Sequence, residues 1–237
     1  MSCKVERTGR LLRITLARPE KRNALNAELC RALVETIEAV TPEDTGAILL
    51  DAEGPSFCSG MDLQDSLEND PCQLASLHER LFTLGRRSRV PIVARVQGHA
   101  IAGGTGLVAN AHLVIADEGA QFGLTELRVA MWPFLIYRAV EEAIGARRAL
   151  GWTLSARLYS AAEAREAGLV HEIGNMDLAT ELAERLPDAV GLGMRYYRES
   201  RGLDHAASGT LAAKLRTELM ASPGYIEAVQ QFRNRKK

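Results

Sequence analysis

Apolar and polar residues alternate through residues 3–8 and again through Leu11-Leu12-Arg13-Ile14-Thr15-Leu16. A period of two predicts two strands, folded as a hairpin about Gly9-Arg10. The period then changes. Leu29, Leu33, Ile37 and Val40 recur at helical spacing behind Asn26, whose side chain can cap a helix start. Ala47-Ile48-Leu49-Leu50 (running on to Asp51), Pro91-Ile92-Val93-Ala94-Arg95-Val96 and Leu113-Val114-Ile115-Ala116 are short apolar runs that read as buried strands. Between the first two, Leu74, Leu77, Leu81 and Leu84 predict one amphipathic helix over residues 73–88, and Gly103 opens a short helix ending near Ala111. Strand alternating with helix predicts an α/β fold. From Ser160 onward the signals are helical, over residues 161–167, 176–186 and roughly 206–220. That shift places a boundary near residue 175, between a core over 1–175 and a helical region over 176–237.

Composition narrows the class. With 237 residues the chain can bury a full core as one large domain, and 46% hydrophobic with 25% charged residues is ordinary for a globular protein. A formal net charge of -1 supplies no field for nucleic acid or a membrane surface, and the basic end Arg233-Asn234-Arg235-Lys236-Lys237 reads as a solvated tail. No apolar run approaches the ~20 residues that span a bilayer, and the N-terminus lacks an apolar signal core. Cys3, Cys30, Cys58 and Cys72 have neither CxxC spacing nor nearby histidines, so they read as reduced thiols of a cytoplasmic protein with no metal site.

Two glycine-bearing loops carry the candidate chemistry: Phe57-Cys58-Ser59-Gly60-Met61-Asp62-Leu63 and Ala102-Gly103-Gly104-Thr105-Gly106, each placed after a predicted strand. Glycine permits a sharp turn and lets a reacting group approach bare backbone N–H groups. Two such loops offer paired amide donors for a developing oxyanion, and the isolated Glu126 offers a carboxylate to move a proton. Other readings compete. Gly104-Thr105-Gly106-Leu107-Val108-Ala109 mimics a dinucleotide-binding turn, but the next strand ends at Asp117, eight residues past Ala109, and Glu126 lies beyond it. Glycines that merely allow close helix–strand packing are the plainer alternative. Cys58 is a packing residue or a nucleophile without a local histidine, Ser59 lacks a nucleophile turn, and His99 is a packed or capping residue.

Arg18-Pro19-Glu20-Lys21-Arg22-Asn23-Ala24-Leu25-Asn26, residues 57–63, and Gly98-His99-Ala100-Ile101-Ala102-Gly103-Gly104 with Ala120-Gln121-Phe122-Gly123 follow in order. Together they resemble the blocks of the enoyl-CoA hydratase/isomerase (crotonase) superfamily, over about residues 5 to 175. The resemblance implies a spiral of ββα units, with C-terminal helices that build a homotrimer or hexamer. It implies an unsaturated acyl-CoA substrate, with the amides of Met61 and Gly103 as oxyanion donors and Glu126 as the proton-transfer residue. Coenzyme A, a part of the substrate rather than a separate cofactor, would be recognised around Arg22, Ala24, Met61, Asp62, Leu63, Gly103 and Gly104. Lys21 and Arg22 could pair its phosphates, Asp62 could instead hold its loop, and Phe232 matches a terminal helix that can reach a nucleotide. Hydratases of the family use two glutamates, and the first position, three residues after Gly103, is here Gly106. Read from sequence, that leaves an inward-facing gap and makes a double-bond shift easier than water addition. Thioester hydrolysis, decarboxylation and non-catalytic acyl-CoA binding are the alternatives. Trp132-Pro133-Phe134-Leu135-Ile136-Tyr137 could line an acyl pocket or sit in the core.

Overall fold

In the computed structural model, which describes residues 2–174, 177–185 and 187–234, the early alternation forms a hairpin. Strand β1 (Cys3–Thr8) runs antiparallel to β2 (Leu11–Leu16), with Gly9 at φ +56° in the turn. Asn26 accepts the Leu29 N–H at 3.0 Å and starts α1 (Ala27–Glu38), which buries Leu29, Cys30, Leu33, Val34 and Ile37. Helix α1 carries the chain back so that β3 (Ala47–Ala52) enters parallel to β2. Next come α2 (Leu63–Glu68), α3 (Pro71–Leu81), α4 (Leu84–Arg87), β4 (Ile92–Val96), β5 (His99–Ile101) and α5 (Gly103–Ala109). They are followed by β6 (Leu113–Ala116), β7 (Gln121–Gly123), α6 (Phe134–Ile144), α7 (Ala146–Ser155), β8 (Tyr159–Ser160), α8 (Ala161–Ala167) and β9 (Glu172–Ile173). Helices α9 (Leu178–Ala183), α10 (Pro187–Glu199), α11 (His205–Met220) and α12 (Pro223–Asn234) complete the described chain.

The strands form two sheets, in orders β1-β2-β3-β4-β6-β9 and β5-β7-β8. Beyond the hairpin every pairing of the larger sheet is parallel, so each return runs through a crossover. A bridge between Cys58 and Ala100 adds the first glycine loop to the edge of the smaller sheet. The chain therefore repeats one path three times: a large-sheet strand, an extended piece against the small sheet, then a helix. β3 leads through Cys58 to α2 and α3, β4 through β5 to α5, and β6 through β7 to α6. This is the ββα spiral. Both glycine loops lie at the joints between extended piece and helix.

The helix expected over 73–88 is two helices. Thr83 Oγ1 donates to the Glu79 and Arg80 carbonyls at 2.8 and 3.3 Å, a local bond that competes with continuation of the helix. Strands β5, β7, β8 and β9 span two or three residues each, too few to show a period. The expected helix over 176–186 appears as α9, while Met176 and Leu186, like residues 235–237 of the basic end, lie outside the described residues. The boundary near 175 also falls there, since residues 175 and 176 are not described. Beyond it, α9 packs on the sheet: Ala179 clusters with Val93 and Ile115, and a Cβ on Gly46 would stand 2.2 Å from the Ala183 carbonyl oxygen.

Candidate active site

The first loop is pinned from behind by Asn23. It is fully buried at φ +53°, a left-handed position that asparagine tolerates better than most residues. Its Nδ2 donates to the Glu53 and Ser56 carbonyls at 2.9 and 2.8 Å, and its Oδ1 accepts the Arg18 N–H at 2.8 Å. Arg18 in turn pairs with the Asp62 carboxylate at 3.1 Å and donates to the Ala24 carbonyl at 2.5 Å. Asp62 also caps α2, so its side chain holds the loop. The Leu25 N–H donates to Gly60 O at 2.8 Å and Leu25 O accepts the Asp62 N–H at 3.0 Å, a parallel bridge centred on Met61. Successive groups along an extended chain point to opposite sides. The Met61 N–H thus turns away from Leu25 and meets no backbone acceptor among the described residues.

The second loop is strained where it turns. Ala102 sits at φ +52°, ψ -122°, a region L side chains rarely occupy and one that costs about 1–3 kcal/mol. Its N–H is tied to Gly123 O at 2.8 Å. The buried Thr105 hydroxyl lies at 2.7 Å from Ala100 O, 3.0 Å from Gly123 O and 3.1 Å from the Gly123 N–H. These bonds hold Gly103 at the first position of α5, where an amide has no intrahelical acceptor. The two loops meet through glycine backbone: a Cβ on Gly60, at φ +93°, would lie 3.3 Å from Gly103 N.

Met61, Gly103 and Glu126 line one cavity of about 340 Å³, shared with Leu63, Phe82, Trp132, Pro133 and Ile136. Glu126 begins a short 3-10 turn, Glu126–Val129, and its Oε2 is buried without a partner among the described residues. Burial pushes its carboxyl from the ordinary 4.5 to about 7, only partly offset by a backbone hydrogen bond. The aromatic segment divides: Trp132 through Ile136 wall the cavity, whereas Tyr137 packs on Trp132 at 6.0 Å between ring centres.

Other expected residues lie elsewhere. A Cβ on Gly104 would stand 2.3 Å from Cys58 O, so this glycine seats α5 against the first loop and does not line the cavity. Gly106 does not leave a gap, because a Cβ there would meet Ile136 Cγ2 at 2.4 Å and Phe82 Cε1 at 3.1 Å. Ile136 on α6 fills the space a carboxylate would take. Cys58 is fully buried with its thiol pushed up to about 12, a packing residue. Lys21 and Arg22 are exposed, Ala24 is half-buried, and Leu63 is half-exposed at the cavity rim. His99 is exposed on β5 rather than packed; Phe232 is exposed on α12. The sequence reading missed His78, which lines the same cavity, has Nε2 buried without a partner among the described residues, and is held below the ordinary imidazole value by burial. The signal was present: Leu74, His78 and Leu81 share the buried face of α3.

The profile described as enoyl-CoA hydratase/isomerase matches residues 6–234. Enoyl-CoA hydratase EchA19 of Mycobacterium tuberculosis is 34% identical over 195 residues, 78% of this chain and 73% of that protein. Mevalonyl-coenzyme A hydratase sidH of Aspergillus fumigatus is 31% identical over 250 aligned positions, 97% of this chain and 91% of its own. Among solved structures, an enoyl-CoA hydratase from Mycobacterium smegmatis superposes with a TM-score of 0.92 over 99% of this chain and 97% of that one, at 24% identity, a likeness of fold.

Proposed function

This chain belongs to the enoyl-CoA hydratase/isomerase family, and from that premise we propose that it moves a proton on an unsaturated acyl-CoA thioester through an enolate. The α-carbon of a thioester becomes acidic only when charge developing on its carbonyl oxygen is stabilised. Backbone amides do this without titrating and without reorganising; removal of one such donor typically costs about 3 kcal/mol. The amides of Met61 and Gly103 are the donors in this reading, and α5 adds favourable potential at Gly103. Glu126 is the base and carrier, with a raised pKa of about 7 suited to both taking and returning a proton near neutrality. The coenzyme A portion passes over Arg22, Ala24, Met61 and Leu63, while Asp62 and Gly104 keep the two loops in register.

The observation that carries this reading is the junction of the two loops over one cavity that also holds an unpartnered carboxylate oxygen. Packing of Ile136 against Gly106 favours isomerisation over hydration, since a water would have one carboxylate rather than two. The test is solvent deuterium incorporation into crotonyl-CoA and a 3-enoyl-CoA, with products identified by mass spectrometry. Exchange at the α- or γ-carbon is expected in wild type. Glu126→Gln should lower turnover about 10²–10⁴-fold while thioester binding persists. A Gln variant with full activity would remove Glu126 from the mechanism.

A further inference from the structure

Buried polar atoms in folded chains almost always have a partner, so one that lacks it points to what a cavity receives. Among the described residues, the buried side-chain nitrogens and oxygens without one are Arg10 Nε, His78 Nε2 and Glu126 Oε2. The other guanidinium nitrogens of Arg10 donate to the Glu43 and Pro42 carbonyls. The residues that carry the remaining two atoms both line the same cavity. Glu126 is accounted for by proton transfer; His78 is not.

His78 is 7% exposed. Its carbonyl accepts the Phe82 N–H at 2.8 Å, and its ring centre lies 5.9 Å from that of Phe82. The Phe82 ring stands 3.4 Å from a Cβ position on Gly103 and 3.1 Å from one on Gly106. The imidazole is therefore one helical turn from the ring that walls the start of α5. Its charged neighbour is Asp65, whose carboxylate is already engaged by the Ala27 N–H at 2.8 Å. The wall around it, with Met61, Phe82, Met131, Trp132 and Ile136, is otherwise largely apolar. A larger cavity of about 560 Å³ offers a contrast. There Glu142 pairs with Arg86, Arg138 and Arg201, and both nitrogens of His112 are bonded. Among the described residues, none of the buried side-chain atoms that lack a partner belongs to that lining.

We propose that His78 Nε2 meets an oxygen substituent on the acyl chain, so that the cavity selects hydroxy-, oxo- or carboxy-acyl thioesters over plain alkyl ones. The inference rests on the thioester reading above and deepens it. A neutral imidazole offers one N–H donor and one acceptor, so an acyl oxygen of any of these kinds completes it. An alkyl chain leaves it unpaired, and a site with an unpaired buried polar atom discriminates against such a ligand.

The test is calorimetric binding of butyryl-CoA, acetoacetyl-CoA, 3-hydroxybutyryl-CoA and succinyl-CoA, equal in acyl length, to the full chain. His78→Leu should weaken at least one oxygen-bearing thioester about 10-fold relative to butyryl-CoA. His78→Gln, which keeps an N–H donor, should recover part of that loss. A ratio unchanged within about 3-fold in both variants overturns the assignment, as does equal weakening of all four ligands, which would mark His78 as a packing residue. Wild type that binds none of the four sinks the thioester reading and this inference with it. Tight binding with unaltered selectivity sinks this inference alone.

Discussion

Glu126 couples stability to activity through one proton. Its carboxyl titrates near 7 in the fold against an ordinary 4.5, so the folded chain holds a proton that the unfolded chain has already released. Stability is thus full below pH 4.5, falls as pH rises from 4.5 to 7, and carries the whole penalty above 7. At about 1.4 kcal/mol per pH unit between those two values, that penalty is roughly 3–4 kcal/mol. Glu126→Gln should therefore raise the unfolding midpoint in urea at pH 8 and change it little at pH 4.5. Activity runs the opposite way, because only the ionised form can accept a proton. The wild-type kcat/KM should climb with pH through about 7 and level off above. A flat profile from pH 5 to 8, or a Gln variant no more stable at pH 8, would mean the carboxylate is not held in a desolvated site.

The glycines of α5 separate three roles that one helix turn brings together. The contact nearest a Cβ on Gly103 is Leu25 Cδ1 at 3.0 Å, the movable end of a side chain, so Gly103→Ala should fold with a small loss of stability and a large loss of turnover. Gly104→Ala forces a methyl onto the Cys58 carbonyl at 2.3 Å, where backbone must shift. It should cost about 1–3 kcal/mol, read as a lower thermal midpoint. Gly106→Glu meets Ile136 at 2.4 Å and should destabilise without adding hydration, whereas pairing it with Ile136→Ala should recover stability and raise water addition to crotonyl-CoA. Unchanged hydration in a stable double variant would show that a second carboxylate is not what limits it. This is also where the sequence could not be read. The hairpin, α1 and the long strands follow from periods within one segment, and the glycine loops from residue type. Ile136 opposite Gly106, His78 opposite the same cavity, and the small sheet depend on segments far apart in the chain, and no local period reports them.

At the scale of the molecule, the C-terminal helices do not bury enough to stand alone. Among the described residues of α10, α11 and α12, only Met194 and Leu215 are buried, while Met220, Ile226, Val229 and Phe232 are exposed. Helices of twelve to sixteen residues are marginal in water without a packed face, and clustered exposed apolar side chains on one terminal segment usually mark a contact surface. Self-association is the simplest cover, and a homotrimer or a hexamer is the assembly the family resemblance implied. Sedimentation at micromolar concentration should give a trimer or hexamer for wild type. Ile226→Lys with Phe232→Lys should shift it toward monomer, because each charge would have to be desolvated in the interface. The consequence for the site is indirect: α6, which walls the cavity, is tied by Glu142 to Arg201, just beyond α10. Loss of assembly should then loosen α6 and raise KM for a thioester more than it lowers kcat. A monomeric wild type with full activity would leave the apolar face of α12 without this role.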